Sequence, residues 1–147
     1  MTYTIRTATG IDCIELVERM TEADLYELEL TPGSQPLQKL FRGLKESLNP
    51  IAIDDCNGVL AAIAGVVPQD SRCFMGSPWM LCTDSIGTEP ISLIKQARAW
   101  TKSQSKQFEN LEHKVWKGNH DHIKFLNLVG FTVLPAPSNS IYCPFFY

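Results

Sequence analysis

Residues 115–131, VWKGNHDHIKFLNLVGF, admit few local structures. Val115 and Trp116 close an apolar run that suits a buried strand. Asn119 can cap a helix, because its side-chain oxygen accepts a backbone N–H one turn further in. Ile123, Leu126 and Val129 then recur on one helical stripe. Gly130 stands where a left-handed C-terminal stop is needed, and Phe131 starts the next strand. The segment therefore predicts strand, turn, short amphipathic helix and strand in succession.

The rest of the chain extends that pattern. Residues 3–7 alternate as a first strand, followed by a helix over 10–20 and an acidic helical segment, TEADLYELEL, over 21–30. TPGSQP at 31–36 is a loop. Leu37, Leu40, Phe41, Leu44 and Leu48 lie at helical spacing, and Asn49-Pro50 is expected to stop that helix. Asn57-Gly58, between apolar runs at 51–55 and 59–67, predicts a hairpin. A loop over 68–78 leads to a short buried strand at 79–83. A helix opened by Thr88 and Pro90 should reach about Lys106. Strands follow at 111–116, 131–134 and 141–146.

With 147 residues the chain is expected to form one domain over 1–147. A hydrophobic content of 44% against 20% charged residues favours a folded globule. The net charge is −3 and Lys and Arg form no run, which argues against a nucleic-acid partner. The longest apolar stretch, 59–67, is too short to span a bilayer, and the first ten residues lack a signal-peptide pattern. Five cysteines without CxxC spacing suit reduced thiols in a cytoplasmic chain, all five read as small buried hydrophobes.

An Asn opening a helix that closes with Gly-Phe, together with the IRTATGID start, resembles the GNAT superfamily of acyl-CoA-dependent N-acyltransferases. The order of elements resembles that family over essentially the whole chain. The VWxGNxxHIxFLxxxG wording, carried by Val115, Trp116, Gly118, Asn119, His122, Ile123, Phe125, Leu126 and Gly130, is most similar to small GNAT-like proteins of short-tailed bacteriophages. The resemblance implies an α/β fold with a mixed, twisted sheet and helices on both faces. It implies two central parallel strands, 79–83 and 111–116, that splay apart to receive acetyl-CoA or CoA. Cofactor contacts would come from Leu81, Cys82 and Thr83, from Ile86, Gly87 and Thr88, and from Trp116 and Asn119. The implied activity is N-acetyl transfer to an amine or a host protein. The alternative is a non-catalytic GNAT-like phage protein that binds a bacterial host protein or belongs to the virion, acting in the host cytoplasm.

The site departs from the family in two places. The turn DSIGTEP, 84–90, lacks the family's phosphate-loop motif and carries Asp84 and Glu89. Lys95 or Arg98 would compensate, unless both belong to a solvated helix face. Leu126 stands where the family places a Tyr acid, which leaves Tyr142 or Tyr147 as substitutes. Amine transfer needs a base, and Asp84 and His120 are the ionisable residues expected nearest the splay. No metal is expected: His120 and His122, two apart on a helix, diverge. Cys82 reads as a core residue rather than a nucleophile, and Trp79, Trp100 and Trp116 as core aromatics.

Overall fold

A computed structural model describes residues 3–72, 74–87 and 90–147. Its elements run β1 (Thr4–Thr7), α1 (Gly10–Arg19), α2 (Glu22–Leu30), α3 (Pro36–Glu46), β2 (Leu48–Asp54), β3 (Leu60–Pro68) and β4 (Met75–Cys82). A 3-10 turn (Asp84–Gly87) then leads to α4 (Pro90–Gln104), β5 (Asn110–Trp116), α5 (His120–Val129), β6 (Thr132–Val133) and β7 (Tyr142–Phe146). The strands form one seven-stranded sheet in the order β1-β2-β3-β4-β5-β7-β6. Every neighbouring pair is antiparallel except β4–β5, which is parallel. The expected mixed α/β architecture is thus present.

Helices cover both faces, as alternation along β3 and β4 requires. Ile63, Trp79 and Leu81 pack with Leu16 and Cys13 of α1 and Leu40 of α3. Ala62 and Met80 face Leu93 of α4, while Val66, Leu111 and Val115 pack with Leu126 and Val129 of α5. β3 is buried along most of its length, consistent with its unbroken apolar sequence. The α1 start is fixed by charge. Arg6 of β1 donates to both carboxylate oxygens of Asp12, at 2.9 and 2.8 Å, and to Asp54 at 2.7 Å. Burial opposes the Asp12 charge, but the Arg6 hydrogen bonds and the Thr9 amide outweigh it and hold that carboxyl below its ordinary value.

Several expectations need correction. Helix α3 ends at Glu46, and Leu48 already belongs to β2. Asn49-Pro50 is an irregularity inside that strand, with Asn49 at φ 48°, rather than a helix stop. The hydrophobic spacing fits a helix through Leu48, yet pairing of Leu48 with Val66 decides otherwise. The strand placed at 79–83 begins at Met75, so residues 75–78 leave the loop. Pro78 is tolerated there because alternation from Cys82, whose N–H points away from β3, directs its missing N–H away from β3 as well. Cys56 lies exposed in the β2–β3 turn rather than buried and Cys82 is half-buried, while Cys13 and Cys143 are buried and Cys73 lies outside the described residues.

Candidate functional site: the splay between β4 and β5

β4 and β5 pair only at Met75–Asn110 and Gly76–Leu111, then diverge. The backbone groups beyond those pairs lose ladder partners and require others. A cavity of about 280 Å³ lies at the divergence. Trp79, Leu81, Leu40 and Gly43 line it on one face of the sheet, and Leu93, Trp100, Phe125 and Leu126 on the other. Its ionisable lining comes from Glu27, Lys39, His113, Lys114, His122 and Tyr142.

The outer end of the splay is occupied by the protein itself. Cys82 N–H donates to Asp24 Oδ2 at 2.8 Å, and Trp116 N–H donates to Glu27 Oε1 at 3.1 Å. The two carboxylates are three residues apart on α2 and so share one helix face. Asn119 Nδ2 donates to Asp24 Oδ1 at 2.9 Å and to Glu27 Oε1 at 3.4 Å. Asn119 also accepts from His122 N–H at 3.4 Å, so it caps α5 as expected while binding α2. At the other end of α5, Gly130 adopts φ 119°, the left-handed stop. The Trp116 ring packs against Tyr26 of α2, 4.4 Å between centroids with the rings tilted by 48°. Gly118 lies beneath that indole: a Cβ there would fall 2.3 Å from Trp116 Cζ2, which explains the Gly of the VWKGN motif.

The electrostatics follow from this packing. Burial raises the Glu27 pKa above the ordinary carboxylate value, with the His122 charge pulling the other way. Burial lowers the pKa of His113, whose ring is reached by water yet surrounded by protein. Its Nδ1 lies 3.0 Å from Lys114 O, and a carbonyl only accepts, so Nδ1 carries the proton and Nε2 remains an acceptor. Burial, then the Asp24 charge, hold the Cys82 thiol well above its usual value, which removes it as a nucleophile at neutral pH.

The residues expected from sequence are distributed unevenly around this site. Leu81 lines the cavity, and Cys82, Trp116 and Asn119 sit at its outer end, bonded to α2. Thr83 is fully buried and structural: its amide donates to Ala61 O and its hydroxyl to Leu60 O. Ser85 N–H donates to Thr83 Oγ1 and Ile86 N–H to Thr83 O, so these turn amides are engaged. Gly87 closes the turn, and Thr88 lies outside the described residues. Asp84 has a side chain 79% exposed and pairs with Arg19 at 2.8 Å. His120 is exposed at the α5 start, and neither Asp84 nor His120 lines the cavity. Arg98 donates to Leu128 O at the end of α5, whereas Arg19 of α1 reaches both Asp84 and Ser85 Oγ in the turn. Tyr142 lines the cavity under the Lys114 ammonium, 4.4 Å from its ring, while Tyr147 packs on Phe131.

Sequence reasoning missed Asp24, Glu27, Arg19 and His113. Its one available signal for the carboxylates was the α2 pattern: Leu25, Tyr26, Leu28 and Leu30 interleave with Glu22, Asp24, Glu27 and Glu29, so the helix has no one-sided apolar stripe to seat it on a core. Among the described residues, no group of three or more His, Cys, Asp or Glu forms a metal site, and no helix is long and apolar enough to cross a membrane.

No protein-family model matches the sequence, and no curated protein matches it. Solved structures do match the fold. A spermidine N-acetyltransferase from Vibrio cholerae in complex with CoA and spermine superposes with TM-score 0.71 at 9% identity, over 99% of this chain and 95% of that one. The GNAT domain of S. lividans PAT gives TM-score 0.69 at 14% identity, over 97% and 88%. A GNAT superfamily phosphinothricin acetyltransferase from Sinorhizobium meliloti in complex with AcCoA gives 0.63 at 12% identity, over 99% and 87%. The chain therefore has the GNAT acetyltransferase fold.

Proposed function

We propose that the chain binds acyl-CoA in the β4–β5 splay and transfers the acyl group to an amine. The observation that carries this reading is the cavity at the divergence, with Glu27, His113, His122 and Tyr142 in its lining. The neighbouring structures that contain CoA or AcCoA support it. The fit to such a cofactor is uneven. The apolar cavity suits an extended arm, and Met80 and Lys114, whose N–H groups face the splay by strand alternation, form no backbone hydrogen bond across it among the described residues. The 84–87 turn suits phosphate poorly, because its Ser85 and Ile86 amides are engaged, with Arg19 the cation bound to it.

The bound group would supply an activated thioester. Glu27 would hold a cationic amine and take its proton, its raised pKa bringing it closer to neutral pH. Tyr142 is the acid candidate within the cavity lining, a role left open by Leu126. Calorimetric titration with acetyl-CoA and CoA, and thiol release in the presence of alkylamines, amino acids and host proteins, test the reading. Glu27→Gln should slow turnover by about 10²–10⁴-fold. Asp84→Asn and His120→Ala, which lie off the cavity, should leave it unchanged. Absence of both binding and thiol release overturns the proposal.

The engaged Cys82 and Trp116 amides favour a second reading. In it the chain is a non-catalytic GNAT-fold protein that engages a bacterial host protein or joins a virion, in keeping with the short-tailed phage resemblance. Tight association with a host protein without thiol release would select it.

A further inference from the structure

The splay presents two tiers of N–H groups. The inner tier is Met80 and Lys114, and the outer tier is Cys82 and Trp116, held by Asp24 and Glu27. Both outer acceptors come from α2, and α2 is docked unlike its neighbours. It supplies no residue to any of the three core clusters, whereas α1 gives Cys13 and Leu16 and α3 gives Leu40. Its buried residue is Asp24, a carboxylate.

Polar contacts hold the helix in place. Thr21 N–H donates to Cys82 O at 2.9 Å, and Lys39 donates to Leu28 O at 2.7 Å and to Thr31 O. The two carboxylate contacts, the Asn119 Nδ2 bonds to both carboxylates and the Tyr26–Trp116 ring contact complete the set. An element fastened by polar bonds with few buried apolar contacts belongs to the low end of local stability. A carboxylate is also acceptor-only, so it competes directly with any ligand carbonyl for the same N–H.

We propose that α2 is a gate over the splay, and that a ligand with carbonyl acceptors along an extended arm enters fully only when Asp24 and Glu27 leave the Cys82 and Trp116 amides. This rests on the acyl-CoA reading above. The arm's carbonyls take over the two outer N–H groups, so the exchange leaves neither amide unpaired. A ligand without paired carbonyls cannot make that exchange and stays in the inner cavity.

The test compares the parent chain with Glu27→Ala, Tyr26→Ala and Asp24→Asn, each first shown to be folded, by calorimetric titration with CoA and acetyl-CoA. Loosening α2 should tighten binding at least tenfold in Glu27→Ala and Tyr26→Ala, even as Glu27→Ala loses turnover. Equal or weaker affinity in folded variants of a parent that binds overturns the gate and leaves the acyl-CoA reading standing. Where neither parent nor variants bind either probe, the acyl-CoA reading falls and amide exchange of the ligand-free chain decides the gate. The α2 amides should then exchange at least a hundredfold faster than those of α1 and α3. Equal protection in all three helices overturns it.

Discussion

Glu27, the proposed base, is half-buried at the expense of stability. Burial raises its pKa in the folded chain above the ordinary 4.5. The folded state therefore holds the proton more tightly than the unfolded state. Its contribution to stability is fully present below the ordinary value and is lost as pH rises through the raised one. Urea unfolding across that interval should show stability falling with pH in the parent and a flatter profile in Glu27→Gln. A profile of the same slope in both would show that Glu27 is not desolvated in solution. The neighbouring His113 has the opposite sign: burial lowers its pKa, so its contribution is present above 6.5 and lost on acidification.

At the scale of elements, α5 is defined by its ends. Asn119 was legible as a cap and Gly130 as a stop from the sequence alone. The cap geometry adds a contact 95 residues away, from Asn119 Nδ2 to the buried Asp24. Removing a cap costs about 1 kcal/mol. Leaving Asp24 Oδ1 without its donor, while Oδ2 keeps the Cys82 N–H, adds a further ~1–3 kcal/mol. Asn119→Ala should therefore destabilise by about 2–4 kcal/mol in urea titrations. Asn119→Asp separates the two roles. Aspartate caps helices as well as asparagine does, but here it would face Asp24 and Glu27. A loss at neutral pH, relieved on acidification, is expected, and an unchanged midpoint would mean that the α2 contact carries nothing.

The whole molecule is a sheet joined at its middle by two residue pairs, Met75–Asn110 and Gly76–Leu111. On one side β1 to β4 form a continuous antiparallel run around buried β3. On the other, β5 and β7 are flanked by the two-residue β6. Native-state hydrogen exchange should accordingly release β7 amides by sub-global opening, at a free energy below that of β3. One common opening energy for β3 and β7 would contradict this division.

Local patterning determined most of the elements, because apolar periodicity, Asn119, Gly130 and the Asn57-Gly58 turn act within a few residues of themselves. The order of those elements resembles the GNAT family, and that resemblance implied the mixed α/β class. The boundaries it missed, Leu48 in β2 and Met75–Pro78 in β4, are set by partners on β3 that no local window contains. The candidate site shows the same split. Leu81, Cys82, Trp116 and Asn119 were legible as strand-end and cap positions. Asp24 and Glu27 were not: an acidic helix reads as solvent-facing until a pair of diverging strands, 58 and 89 residues away, presents it with unpaired amides. Burial and hydrogen-bond satisfaction are properties of the packed chain, so tertiary structure alone decided which carboxylates enter the splay.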